Sequence, residues 1–129
     1  MESTENEFAK LWLEDGIVFF VYKPGSIITL EAAEKVVSDR LALQKDVSFP
    51  AFCDMRGIKD SRKPARDFLA KEGSKLVTAV AVLVESTLTR VMLNLYLSIN
   101  KPITPTKMFT DKSQALEYLR AFVNSDART

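Results

Sequence analysis

One uninterrupted apolar run in the middle of the chain constrains the fold more than any other feature. Residues 77–84 read Val-Thr-Ala-Val-Ala-Val-Leu-Val, rich in β-branched side chains and without the alternation of a strand that faces water on one side. Such a run is typical of a central strand buried on both faces. Because both faces of the sheet then need a cover, the run predicts a layered α/β domain with helices on each side.

A β-hairpin is predicted near the start of the chain. Residues 9–14 and 17–23 are two apolar stretches, and the Asp-Gly pair at 15–16 suits the positive φ angles of a type I′ turn. Both faces of the second stretch are apolar, so we expect it to be covered on both sides.

Two helices and a strand are predicted between the hairpin and the apolar run. The first helix begins after Thr29, an N-cap residue, and a short strand follows at 48–53. Ser61 is expected to cap the second helix, which has Pro64 in its first turn and ends at Gly73.

Two more helices are predicted after the apolar run. One begins at Ser86 or Thr87 and extends to Ile99, and the other follows a strand at 106–110 and opens at Asp111 in a variant of the capping box. The order β-β-α-β-α-β-α-β-α predicts a mixed, mostly parallel sheet of about five strands with an N-terminal β-hairpin and four helices.

We expect a single domain over residues 9–123, a flexible N-terminal segment at 1–8 and a frayed tail at 124–129. The first residues are acidic and polar, unlike a signal peptide, and no apolar run reaches the roughly 20 residues of a membrane span. A cytoplasmic location is therefore predicted.

The composition argues against most catalytic chemistry. The chain has no His, one Cys and four scattered Gly, which excludes His-based triads, His-ligated metals, disulfides within the chain and glycine-rich phosphate loops. Lys and Arg number 18 against 17 Asp and Glu, so a net charge of +1 gives no general attraction to nucleic acid. No enzyme, cofactor or metal site is expected.

The element order and the string Asp54-Met55-Arg56-Gly57, followed by an Ala-Arg-Asp-Phe-Leu-Ala helix, resemble the STAS domain and, more narrowly, its SpoIIAA-like group. The resemblance covers about residues 9–123. It implies a small regulatory module that binds another protein, sometimes gated by phosphorylation, or a lipid in SEC14-type relatives.

The chain departs from the family pattern at two adjacent positions of this loop. Antagonists of the family carry Asp-Ser-Ser-Gly in this loop, with the second Ser as phosphoacceptor. Asp54 and Gly57 match that pattern, whereas Met55 and Arg56 stand between them, so no hydroxyl occupies the switch position. Ser61 is the nearest hydroxyl and a minor candidate for phosphorylation.

The polar loop at 54–60 and the following helix start contain the candidate binding residues. They are Asp54, Arg56, Gly57, Lys59, Ser61, Arg62, Lys63 and Arg66. This segment contains five basic and three acidic side chains. It lies at the carboxyl edge of the predicted sheet, where α/β proteins bind ligands. The segment is either a site for an anion or an acidic partner, or a solvated loop of mixed charge.

A second candidate surface lies on the helix predicted from Ser86 or Thr87 to Ile99. Leu93 and Leu97 fall nearly opposite its main apolar stripe, so either another element covers them or they form a partner or dimer patch.

Other groups have simpler interpretations. Asp54, Glu85 and Asp111 all follow predicted strands, and helix caps and solvated strand ends explain them better than an enzyme does. Cys53 is expected to be a small buried hydrophobe. Aromatic side chains of the hairpin region are expected in the core, or in a pocket for an acyl chain: Phe8, Trp12, Phe19, Phe20 and Tyr22.

Two functions therefore stay open. The first is a non-catalytic STAS-like interaction module, with a protein partner or a second copy bound through the loop or through Leu93 and Leu97. The second is a carrier of a lipid or an anionic metabolite.

Overall fold

The structure, a computed structural model, describes residues 2–86 and 104–123. Within these ranges the chain forms, in order, β1 (Ser3–Glu5), β2 (Ala9–Glu14), β3 (Ile17–Tyr22), β4 (Ser26–Ile28), α1 (Leu30–Gln44), β5 (Phe49–Asp54), β6 (Ile58–Ser61), α2 (Lys63–Glu72), β7 (Val77–Leu83), β8 (Thr106–Phe109) and α3 (Lys112–Arg120).

Six strands form the main sheet, in the order β1-β2-β3-β5-β7-β8. The first three pair antiparallel, and β3, β5, β7 and β8 run parallel, so their carboxyl ends meet at one edge. The strand predicted from the apolar run is confirmed as β7, between β5 and β8. Strands β4 and β6 form a separate, two-stranded parallel sheet.

Helices cover both faces of the main sheet, as the apolar run predicts. On one face, Leu11, Val18 and Cys53 pack with the buried side of α1 in one core cluster. On the other face, Phe52 and Leu119 belong to a second cluster that includes α3. The mixed α/β class is therefore confirmed.

The local signals in the sequence are confirmed at three places. Asp15 and Gly16 adopt φ angles of 52° and 77°, as a type I′ turn requires. The Thr29 side chain accepts a hydrogen bond from the backbone N–H of Ala32 at the start of α1. Asp111 does the same for Gln114 at the start of α3, at 3.1 Å.

The predicted number of strands is wrong. The main sheet has six strands rather than about five, because Ser3–Glu5 pairs with the outer edge of β2. The segment predicted as a polar loop contains β6, which pairs with β4 and adds a second small sheet. Residues 2–86 and 104–123 hold three of the four predicted helices.

The helix predicted from Ser86 or Thr87 to Ile99, with Leu93 and Leu97, lies outside the described residues apart from Ser86. Its surface patch therefore stays a prediction. Across 2–86 and 104–123, no helix is long and apolar enough to cross a membrane.

Candidate functional site

Asp54 is the last residue of β5 and lies at the carboxyl edge of the parallel strands. It is paired in register with Val21 of β3 and Leu83 of β7, between two neighbouring strands. The whole residue is only 6 % exposed. A carboxylate buried to this extent needs hydrogen bonds or an opposite charge to offset its loss of hydration.

Arg56 supplies both. Its backbone N–H and its Nε each donate to Asp54 Oδ1 at 3.0 Å, and Nη2 donates to Oδ2 at 2.8 Å. Burial by itself raises the pKa of Asp54, but the bonds from Arg56 and the nearby charge of Lys112 lower that pKa below its ordinary value. The same bonds raise the pKa of Arg56. Asp54 is therefore a fixed anion, and the Arg56 side chain remains 53 % exposed.

Gly57 is required here by a close approach of two backbones and not by its φ angle. A Cβ atom at this position would lie 2.4 Å from the carbonyl oxygen of Tyr22 and 2.7 Å from that of Lys23. The Gly57 carbonyl accepts a hydrogen bond from the Ser26 N–H at 3.2 Å. The turn at 54–57 is thus packed directly against the end of β3.

Three more predicted site residues lie on β6 or just after it. Lys59 is exposed on β6, Ser61 ends that strand, and the Arg62 N–H donates to the Ile28 carbonyl at 2.9 Å. The prediction that Ser61 caps α2 is wrong, because pairing with β4 keeps Ser61 in the strand. Arg62 occupies the N-cap position, with no side-chain hydrogen bond to the helix.

Most of the basic side chains have acidic or polar partners close by in sequence. Arg62 pairs with Asp60, and Lys63 pairs with Asp67 at 2.8 Å. Arg66 donates to the carbonyl and the hydroxyl of Ser61, at 2.7 and 3.3 Å. These contacts favour a surface of mixed charge over a preformed pocket for a free anion. We name the exposed side chains Arg56, Lys59, Arg62 and Lys63 the carboxyl-edge surface.

The three strand-end carboxylates have separate roles. Asp111 caps α3, and Asp54 is bound by Arg56. Glu85 is exposed beyond the end of β7, near enough to Arg56 to help raise the pKa of that guanidinium. Among the described residues, no group of three or more Cys, Asp or Glu side chains is placed to hold a metal ion.

The aromatic residues of the hairpin region are divided between the two faces of the sheet. Phe8, Phe20 and Tyr22 pack with the cluster under α1. Trp12 stacks on Phe19 on the opposite face, with ring centroids 5.0 Å apart and planes 3° apart. The five side chains therefore do not line one common pocket for an acyl chain.

Cys53 is a free, buried thiol, and burial raises its pKa well above the ordinary value.

The sequence did not point to Arg40, which lies on α1 and is only 2 % exposed. Arg40 donates to Gln44 Oε1 and to the Gly73 carbonyl, and Gln44 Nε2 donates to the carbonyls of Val47 and Leu76 at 2.8 Å. This network joins the end of α1 to the segment between α2 and β7.

A sequence signal for Arg40 was present. Val36, Arg40 and Gln44 lie four residues apart on one helix face, and all three are buried.

Comparison with known proteins gives relatives without an established role. A family model, Domain of unknown function (DUF7793), matches residues 11–123. An uncharacterised protein of the DUF3478 family with a SpoIIAA-like fold, from Shewanella loihica PV-4, has a TM-score of 0.60 and 16 % identity, over 90 % of this chain and 98 % of that one. This likeness confirms the predicted resemblance to SpoIIAA-like proteins at the level of the fold.

A protein of unknown function from Arthrobacter sp. FB24 is 32 % identical, with a TM-score of 0.35, over 85 % of this chain and 97 % of that one. No curated protein matches the chain.

Proposed function

The chain belongs to the DUF7793 family, and we propose that it is a non-catalytic regulatory module that binds a partner protein through its carboxyl-edge surface. The observation that carries this proposal is the pairing of buried Asp54 with exposed Arg56 at the end of a parallel strand. The Asp54 carboxylate is buried and bound to Arg56, whereas the Arg56 side chain is exposed enough to contact a partner.

The turn at 54–57 has the properties of a rigid recognition element. Three hydrogen bonds hold Arg56 to Asp54, and the backbone of Gly57 is pressed against the end of β3. A side chain whose position is set before binding loses less conformational entropy when it binds. Arginine is also enriched at protein interfaces and pairs well with carboxylates.

Arg56 occupies the position at which anti-sigma-factor antagonists of the SpoIIAA-like group carry their phosphoacceptor serine. Its charge is permanent at physiological pH, so a partner would meet a constant cation rather than a switch set by a kinase. Binding by this module is accordingly proposed to be constitutive with respect to phosphorylation at this position.

The expected partner surface is acidic. Lys59 has no acidic neighbour among the ion pairs of the described residues, and Arg56, Arg62 and Lys63 keep more than half of their side chains exposed within their pairs. A partner carboxylate could therefore contact these cations without first breaking a buried bond. The proposal places the module in the cytoplasm, in keeping with a single cysteine that is a free buried thiol.

Parallel affinity capture from the native host tests the proposal. The wild-type chain is compared with Lys59→Glu/Arg62→Glu and with a matched control, Lys35→Glu/Lys71→Glu, which changes exposed lysines on α1 and α2. The proposal predicts a protein retained by the wild type and the control but lost with the first variant. Equal retention by all three would contradict it, and a co-purified lipid or metabolite in native mass spectrometry would support the carrier function instead.

A further inference from the structure

The outer edge of β2 is covered by very little chain. Its neighbour β1 has only three residues, with Ser3 opposite Trp12, Thr4 opposite Leu11 and Glu5 opposite Lys10. Two small polar side chains, Ser3 and Thr4, thus lie opposite two large apolar ones, and Trp12 and Leu13 remain half-buried. We name residues 2–6 the N-terminal strap.

Exposed ion pairs fasten the strap at both ends. Glu2 pairs with Lys45 at 2.8 Å, and Glu5 pairs with Lys23 at 2.6 Å. Both glutamate side chains are 53 % exposed, and pairs of this kind contribute little to stability and are weakened by salt. Backbone bonds add Leu13 N–H to the Glu2 carbonyl and Asn6 N–H to the Ala9 carbonyl, each 3.0 Å. The Asn6 side chain also donates to Asp39 Oδ2 at 2.9 Å and accepts from the N–H groups of Phe8 and Ala9. With only three residues in the ladder and ion pairs exposed to solvent, the strap is still easier to release than an interior strand.

Strand β2 is complementary to a second copy of itself. In an antiparallel pair related by a two-fold axis at Trp12, Lys10 faces Glu14 of the other copy, and Leu11 faces the other Leu13. The two side chains of each facing pair lie on the same side of the sheet. Opposite charges and matched apolar side chains are the pairs that stabilise neighbouring strands.

The backbone N–H and carbonyl groups of β2 point in the directions that this pairing requires. The N–H of Leu13 and the carbonyl of Ala9 point to the outer edge, where the strap now binds them. By the alternation of an antiparallel ladder, Leu11 also faces outward, so Leu11 and Leu13 of each copy can exchange backbone hydrogen bonds. The axis at Trp12 then falls on a pair without backbone bonds, in which side chains lie closest.

The strap imitates one feature of such a partner. Glu5 lies opposite Lys10, the position that Glu14 of a second copy would take. From this mimicry and the self-complementarity of β2, we propose that the outer edge of β2 is a dimer interface between two copies of this chain. The strap covers this edge in the single chain and must be displaced for the dimer to form. This inference is independent of the function proposed for the carboxyl-edge surface.

Sedimentation velocity of the full chain tests the inference. Thr4→Pro removes a ladder donor of the strap, and Glu5→Lys places a cation opposite Lys10. Each variant is expected to lower the dimer dissociation constant about tenfold relative to the wild type at the same salt concentration. Glu34→Lys, the same charge change at an exposed site on α1, is the control and should leave this constant unchanged.

Charge exchange on β2 then tests the register. In the Thr4→Pro chain, Lys10→Glu or Glu14→Lys alone gives residues 10 and 14 the same charge. The two-fold axis repeats this like-charge contact, so each single change should raise the dimer dissociation constant about tenfold. Both changes together should restore it to within about threefold.

Two results would overturn the inference: monomers with native circular dichroism for both strap variants, or dimers that are indifferent to the exchange. Should Thr4→Pro unfold the chain, Glu5→Lys, an exposed change, carries both parts of the test.

Discussion

The Arg56 guanidinium closes on the Asp54 carboxylate two residues earlier, with Nη2 to Oδ2 at 2.8 Å and Nε to Oδ1 at 3.0 Å. The pair links a buried strand end to an exposed cation. It explains how a charged residue is retained at the last position of β5, and why Arg56 holds one orientation at the carboxyl edge.

Asp54→Asn should destabilise the chain in a pH-dependent way. The pKa of Asp54 is lower in the folded chain than its ordinary value of 3.8, so the carboxylate stabilises the fold above that value. This contribution is lost as the pH falls through the lower, folded-state pKa. We expect the free energy of unfolding to drop by about 1–2 kcal/mol at pH 7 and by clearly less near pH 3, measured by urea denaturation.

Asp60→Asn is the control, because Asp60 pairs with Arg62 in an exposed position and should change the free energy of unfolding by under about 1 kcal/mol. A loss for Asp54→Asn that stays equal at pH 7 and pH 3 would contradict the assigned role.

Gly57→Ala should be costly because the added methyl group has no room. It would meet the backbone carbonyls of Tyr22 and Lys23, which side-chain movement cannot relieve. Thermal unfolding should show a loss of about 1–3 kcal/mol. Lys59→Ala, two residues later on an exposed site, should stay within about 0.5 kcal/mol of the wild type. Equal melting temperatures for the two variants would refute the close approach.

Arg40→Ala should lower the free energy of unfolding by about 2–4 kcal/mol. It removes the donor to Gln44 and Gly73 inside the protein and leaves a cavity. Burial lowers the pKa of Arg40 to about 10, so the side chain is still a cation at neutral pH. Arg40→Met should cost less than Arg40→Ala, because methionine fills the volume without burying a charge. Denaturation curves showing the reverse order would count against this explanation.

Cys53 should react slowly with thiol reagents in the folded chain. Its side chain is buried, and the raised pKa leaves little of the reactive thiolate at pH 8. We expect labelling by a chromogenic disulfide to be at least about 100-fold slower than in denaturant. Fast labelling under native conditions would show that β5 opens readily.

Local sequence signals predicted the elements that depend on local chemistry. The Asp15-Gly16 turn, the Thr29 and Asp111 caps and strand β7 follow from side-chain type and spacing alone. Strands β4 and β6 could not be predicted in this way, because each has few residues and depends on pairing with a distant segment.

The candidate site was predicted in part. The Asp54-to-Gly57 string placed the turn at the correct edge, but the sequence did not show that Arg56 binds Asp54 or that Ser61 belongs to a strand. Arg40 was overlooked because its spacing from Val36 and Gln44 shows only a shared helix face. Its partners are the Gln44 side-chain amide and a carbonyl 33 residues away, which that spacing does not identify.

The most direct test of the proposed function is the affinity of the captured partner, measured by calorimetry with the purified chain. The account predicts that Lys59→Glu/Arg62→Glu raises the dissociation constant about tenfold or more, whereas Lys35→Glu/Lys71→Glu leaves it within about twofold. An unchanged constant for the first variant, or an equal loss for both, would contradict binding through the carboxyl-edge surface.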